Sequence, residues 1–186
     1  MSPKASSARR ERVALGLGAN LEDRLAALQT AVDLISRDPQ VWPVAVSPVF
    51  ETDPVGGPQQ PDYLNAVLIL DTDLVPLEVL ALAQLAEHEL HRTRASKWEA
   101  RTLDVDVLAY AKVVSDDPML TLPHPRAAVR AFVLIPWAAV DPDFVVPGSG
   151  HSVADLLAAL DPTDVAGVRP REDLFLRLPG RHILNS

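Results

Sequence analysis

Short apolar runs alternate along the chain with amphipathic stretches, and their order predicts its elements. Val13–Gly18 is an apolar run ending in glycine, which reads as a buried first strand. Leu25, Leu28, Ala31, Val32 and Ile35 recur at helical spacing. They predict a helix over Glu22–Ser36, capped by Asn20 and ended by Asp38-Pro39. Val41–Phe50 predicts a second strand, made irregular by Pro43 and Pro48 and so at or near a sheet edge. Residues 51–61 read as loop, since Asp53-Pro54, Gly56-Gly57-Pro58 and Pro61 leave little room for regular structure. A third strand follows at Tyr63–Thr72, then a helix over Pro76–His91 with Pro76 in its first turn. Residues 92–100 form a charged loop, and Thr102–Tyr110 is a fourth strand. Beyond it the pattern gives a turn at Ser115–Pro118, a Pro-His-Pro loop at 123–125, and helices at Phe132–Val140 and Ser152–Leu160. Residues 161–186 are polar and contain proline, with one strand at Leu174–Leu178.

The order β-α-β-β-α-β, with additions after it, predicts an α+β fold. Its core is ferredoxin-like, an antiparallel-rich sheet with helices packed on it. A chain of 186 residues, 48% hydrophobic, suits a single domain with its own core. We place that domain at residues 12–161, with a flexible tail at 1–11 and a C-terminal extension at 162–186. A net charge of −8 argues against general nucleic-acid binding. With no cysteine, disulfides and thiolate metal sites are excluded. No apolar run reaches the length of a membrane span, and the polar start lacks a signal-peptide core. A cytoplasmic monomer acting on small molecules is the default expectation.

Candidate chemistry centres on Arg101-Thr102-Leu103-Asp104-Val105-Asp106. Side chains two apart on a strand share a face, so Asp104 and Asp106 stand together beside a core. Their mutual repulsion and desolvation call for a cation. Carboxylate oxygens in a chain without cysteine suit Mg²⁺, completed by substrate phosphates. The alternative is an exposed edge strand with two solvated aspartates. Arg92, Arg94, Lys97 and Arg101 precede the pair, and His124, Arg126 and Arg130 follow it. That much positive charge in an acidic chain fits a polyphosphate, although a solvated face with ordinary ion pairs stays open. No Gly-rich phosphate loop is present. Tyr63 and Asn65 share a strand face, where a ring could stack and an amide could read a heterocycle edge. A half-buried tyrosine and a turn asparagine would explain them equally well. Periodicity alone makes Phe132 a core residue.

Together these stretches resemble the 6-hydroxymethyl-7,8-dihydropterin pyrophosphokinase family, from about Val13 to Leu160. The resemblance is carried by Leu17-Gly18-Ala19-Asn20-Leu21, Gln60-Pro61-Asp62-Tyr63-Leu64-Asn65-Ala66 and Arg92-Thr93-Arg94. It continues through Trp98 to Asp106 and through Leu122-Pro123-His124-Pro125-Arg126 into Arg130-Ala131-Phe132-Val133-Leu134. The likeness implies transfer of pyrophosphate from ATP to the pterin's hydroxymethyl group, releasing AMP, in folate biosynthesis. It implies two Mg²⁺ ions on Asp104 and Asp106, with Arg92 and Arg101 completing the catalytic set. Arg92, Arg101, His124 and Arg130 would contact phosphates, and Gln84, Glu87, Arg94 and Thr121 would line the nucleotide site. Asn65 and the chain near Thr52 and Asp53 would read the pterin edge. Tyr63 and Phe132 would sandwich the ring with Val55 nearby, and Trp98 would sit on a loop closing over both substrates. The chain departs from the family at Glu99-Ala100, where Gly-Pro is usual, and at His91, Lys97, Ala19 and Asp53. Those departures motivate the second reading, a catalytically weak pterin- or nucleotide-binding paralogue. A ferredoxin-like nucleic-acid module is disfavoured by the acidic charge and by the lack of base-stacking aromatic pairs.

Overall fold

The computed structural model describes residues 10–21, 23–54, 60–90 and 103–180. In chain order the elements are β1 (Glu11–Ala19), α1 (Arg24–Ser36), β2 (Val41–Val46), β3 (Phe50–Thr52), β4 (Tyr63–Thr72), α2 (Pro76–Glu89) and β5 (Asp104–Tyr110). They continue with β6 (Ser115–Asp117), β7 (Leu120–Leu122), a 3₁₀ turn at Ala127–Val129, α3 (Ala131–Ala138), α4 (Val153–Ala158), α5 (Pro162–Ala166) and β8 (Val168–Pro170). The main sheet has six strands in the order β5-β1-β4-β3-β8, with β2 also paired to β4. Every pairing in it is antiparallel. The first seven elements reproduce the expected ferredoxin-like core.

Both faces of the sheet are covered. Leu15, Leu17, Val105 and Val107 pack with Leu28, Val32 and Ile35 of α1 and Val79 and Ala83 of α2. On the other face Ala14, Val67, Ile69 and Leu108 pack with Val133, Leu134 and Trp137 of α3 and Val153 of α4. This explains why β4 is buried without a break from Leu64 to Leu70 rather than in alternation. Trp137 is fully buried, its ring centroid 5.4 Å from that of Phe144. Trp137→Ala is expected to cost about 3–5 kcal/mol of folding stability, read as a lowered urea midpoint with an unchanged slope.

The single strand expected over Val41–Phe50 is two strands, β2 and β3. Proline at position 48 has no N–H for the ladder, and Ser47 closes the gap with its hydroxyl, which accepts from the Val67 N–H at 2.9 Å. The ladder also shifts register between Pro43 and Ala45, and Pro43 sits on a strand paired on one side only, where its missing N–H costs no ladder bond. The cap of α1 is Asp23, not Asn20: its carboxylate accepts from the Ala26 N–H at 3.0 Å. Asn20 is buried instead, donating from Nδ2 to Gln60 Oε1 at 3.1 Å and to the Pro61 carbonyl at 3.3 Å. The turn at Ser115–Pro118 is the β6–β7 hairpin.

The expected strand at Leu174–Leu178 is not one. The leucines at 174, 176 and 178 do alternate onto the core. In place of a strand partner, Gln29 of α1 donates to the Arg177 carbonyl at 2.8 Å and accepts from the Arg177 N–H at 2.9 Å. The strand of this region is β8, which joins the main sheet beside β3. The expected tail at 1–11 falls outside the described residues except for Arg10 and Glu11. No described helix is long and apolar enough to cross a membrane.

Candidate active site

A cavity of about 770 Å³ opens on the α3 side of the sheet. Its floor is set by strand register. Gly18 of β1 pairs with Asn65 of β4 on one side and Asp104 of β5 on the other. Gly16 pairs likewise with Val67 and Asp106. Adjacent strands lie about 4.8 Å apart, so Asn65 and Asp104 stand on one rung about 10 Å apart, with a glycine between them. A Cβ on Gly18 would stand 3.6 Å from Asn65 Oδ1, and one on Gly16 would meet a Leu108 methyl at 3.2 Å. The glycines therefore keep the floor clear between an amide at one end and two carboxylates at the other.

Asp104 and Asp106 are half-buried and line this cavity, while the alternate residues Val105 and Val107 face the opposite core. β5 is the edge strand of the sheet, as the solvated-edge alternative has it, but both aspartates face the cavity. The outer edge of β5 is held from two places. Glu87 of α2, itself buried, accepts from the Val105 N–H at 3.0 Å, and the His124 N–H donates to the Leu108 carbonyl at 2.8 Å. The strand carrying the aspartates is thus fixed by β1 on one edge and by α2 and the Pro-His-Pro loop on the other.

His124, Arg126 and Arg130 line the cavity beside the aspartates. Burial and the neighbouring Arg126 pull the Arg130 guanidinium below its ordinary range, and the aspartates pull it back. Burial, then Arg130 and Arg126, push the His124 imidazole below its ordinary value of 6.5, against an upward pull from Asp104. The unfolded chain therefore binds the His124 proton more readily than the folded one. Stability is expected to fall as pH drops below 6.5, down to the lowered folded value. Comparing urea midpoints against pH with those of His124→Gln isolates this contribution, which the variant lacks.

At the other end Thr52 is buried, and its hydroxyl accepts from Asn65 Nδ2 at 2.9 Å. This fixes the amide and leaves Oδ1 over the glycine floor. Tyr63 and Phe132 are both half-buried and both line the cavity, so Phe132 is not simply core. The Arg130 guanidinium carbon lies 5.3 Å from the Phe132 ring centroid.

The structure thus gathers Thr52, Asp53, Tyr63, Asn65, Asp104, Asp106, His124, Arg130 and Phe132 around one cavity. Gln84 is exposed on α2, and Thr121 on β7 donates to the Asp117 carbonyl at 3.2 Å. These two and Glu87 do not line the cavity. They stand on α2 and β7, both of which pack against β5. Val55, Arg92, Arg94, Trp98 and Arg101 lie outside the described residues, as do Lys97 and Glu99-Ala100. The sequence reading missed Gly16, Gln60 and Val129. It also missed Thr163, Asp164, Gly167 and Val168, which line the cavity from α5 to β8.

The model of the 7,8-dihydro-6-hydroxymethylpterin-pyrophosphokinase (HPPK) family matches residues 14–142, more than half of the chain. The chain belongs to the HPPK family. A Mycobacterium bovis 2-amino-4-hydroxy-6-hydroxymethyldihydropteridine pyrophosphokinase is 43% identical over 183 residues, covering 90% of this chain and 95% of its own length. The Pseudomonas aeruginosa HPPK is 42% identical over 149 residues, covering 80% of this chain and 91% of its own. Among solved structures, an HPPK-DHPS crystal structure in complex with substrates superposes with a TM-score of 0.63 at 10% identity, covering 81% of this chain. A Plasmodium falciparum HPPK-DHPS with pteroate gives 0.61 at 13%, covering 82%. Such low identities bear on the fold alone. This chain spans under half of each, 43% and 44%.

Could this HPPK site hold Mg²⁺? Among the described residues, no group of three or more His, Asp and Glu side chains is arranged to hold a metal alone. Two hard carboxylates side by side on a cavity wall do fit an ion that keeps most of its sites for phosphate oxygens and water.

Proposed function

We infer that the chain is an enzyme of folate biosynthesis that transfers pyrophosphate from ATP to 6-hydroxymethyl-7,8-dihydropterin, yielding AMP and the pterin diphosphate. The observation that carries this reading is the rung Asp104–Gly18–Asn65, which sets a phosphate end and a heterocycle end on one open floor. Asn65, oriented by Thr52, reads the polar edge of the pterin, and Tyr63 and Phe132 flank the ring. The hydroxymethyl group then points along the glycine floor toward the carboxylates. Its oxygen bonds to the β-phosphorus of ATP as the bond from that phosphorus to the α–β bridging oxygen breaks. AMP leaves with the bridging oxygen, and the hydroxyl proton is released.

Asp104 and Asp106 would hold Mg²⁺, for which we propose two ions. When bound, Mg²⁺ neutralises phosphate charge and makes the substrate hydroxyl a better nucleophile. His124 and Arg130 hold phosphate oxygens beside the aspartates. For Arg92, Arg94, Trp98 and Arg101 the proposal rests on the family motifs alone, with Arg92 and Arg101 in the catalytic set. The same holds for Val55 beside the ring. Gln84, Glu87 and Thr121 are assigned to the nucleotide from the outer side of β5.

We propose a monomer acting on two small-molecule substrates. A reaction between two soluble substrates, one of them ATP, suits the cytoplasm. We place a single domain from residue 12, and the pairing of β8 supports carrying it past 161.

Product analysis tests the reaction type. One AMP should appear for each pterin diphosphate. ADP with a pterin monophosphate would mean an ordinary kinase and would refute the reading.

A further inference from the structure

The C-terminal segment touches the pterin end of the cavity in a way the family match, which stops at residue 142, does not reach. Strand β8 pairs with β3, placing Val168 opposite Thr52 and Arg169 opposite Glu51. From β8 the Arg169 guanidinium forks. Its Nη1 lies 2.9 Å from Asp53 Oδ1, and its Nη2 lies 3.0 Å from Asp62 Oδ2. Asp53 directly follows Thr52, whose hydroxyl orients Asn65, and Asp62 directly precedes Tyr63. One side chain therefore ties together the two stretches that carry the pterin-facing groups. The attachment is reinforced next door. Arg171 Nη1 lies 3.1 Å from Glu51 Oε1, and Arg24 Nη1 bonds the same oxygen and the Asp62 carbonyl, each at 2.8 Å.

We propose that Arg169 is a positioning residue for the pterin. By clipping Asp53 to Asp62 it sets the spacing between the Thr52–Asn65 pair and Tyr63. Asp53 accordingly acts through Arg169 rather than by touching the ring. The proposal rests on the pterin reading of this cavity.

Exposure separates this role from a merely structural one. The Arg169, Asp53 and Asp62 side chains are 43%, 72% and 41% exposed. Ion pairs this open add little to global stability. Their removal should be felt in where the flanking residues sit, not in whether the chain folds. A guanidinium is needed because its planar fork meets two carboxylates at once, whereas an ammonium meets them as a point charge.

The test uses the full chain with Arg169→Ala, Arg169→Lys, Asp53→Asn and the Arg169→Ala/Asp53→Asn double variant. Pterin and ATP are each varied at saturating levels of the other. Arg169→Ala should raise the pterin KM about five- to tenfold, with kcat and the ATP KM within about twofold and melting shifted by no more than about 2–4 °C. Lysine should recover part of the loss, and the double variant should be no worse than Arg169→Ala, the signature of two groups acting through one contact.

An unchanged pterin KM in Arg169→Ala would overturn the proposal. So would a joint fall in kcat, both affinities and melting temperature, which would mark the segment as scaffold. Should Arg169→Ala fail to fold, Asp53→Asn and Asp62→Asn cut the same clip from its other side and carry the same prediction. Pterin affinity measured by the pterin's own fluorescence keeps the test in force whatever the turnover. Absence of pterin-dependent AMP in the wild type would count against the functional reading, and the clip would still be judged by that affinity.

Discussion

Replacing Asp104 or Asp106 with alanine is expected to lower turnover by at least about a thousandfold and leave the protein folded. The size follows from the work these carboxylates do. On the proposed reading they stand at the phosphate end of the cavity, where a bound metal would contribute several kcal/mol to the transition state. At about 1.4 kcal/mol for each tenfold, four kcal/mol is roughly a thousandfold. Survival of the fold follows from how β5 is held. Its inner edge pairs with β1, and its outer edge is fixed by Glu87 on the Val105 N–H and by the Leu108 carbonyl on the His124 N–H. None of these bonds uses an Asp104 or Asp106 side chain. Removing one carboxylate relieves its repulsion by the other but also gives up its attraction for Arg130, so stability without metal should change little. The check is kcat at saturating ATP and Mg²⁺ together with a urea midpoint. Full turnover in either variant would sink the assignment of that aspartate.

The second large effect is expected at the other end of the floor. Asn65→Ala should cut kcat/KM for the pterin about a hundred- to a thousandfold and leave the ATP KM within a few-fold. Asn65 is 6% exposed, so whatever it bonds is bonded away from water. One N–H is spent on Thr52 Oγ1 at 2.9 Å, which fixes the direction of the other polar atoms. Truncation leaves unpaired, in the complex, the two groups on the heterocycle edge that the remaining N–H and Oδ1 would meet. Each buried unpaired group costs about 1–3 kcal/mol, and sites built to bond polar edges discriminate on that scale. Steady-state kinetics with each substrate varied in turn decides the matter. Equal losses for pterin and ATP would mean that Asn65 supports the site as a whole rather than reading the pterin.

Much of this was legible in the sequence, for identifiable reasons. The bounds of β4 and the start of α2 follow from a long apolar run and from a proline in a first turn. The Asp104–Asp106 pair could be placed on one face because strand alternation leaves no other choice. Three-residue strands carry no such pattern. Ser115-Asp116-Asp117 is polar and Val168-Arg169-Pro170 is too short to alternate, and only their partners make them strands. The alternation at Leu174–Leu178 is real, but a glutamine side chain takes the place of the neighbouring strand. Asn20 has the chemistry of a helix cap, and a tertiary contact to Gln60 took it instead. Arg169 lies 107 residues from Asp62, and nothing in their local sequences announces the bond between them. The cavity's C-terminal wall is invisible for the same reason.

The proposed function requires one cavity that joins a pterin site to a phosphate site. The most direct measurement is AMP release from ATP and Mg²⁺, with and without 6-hydroxymethyl-7,8-dihydropterin. AMP that depends on the pterin and appears with its diphosphate is the expected result. A folded protein that binds both ATP and the pterin yet releases no AMP would contradict it.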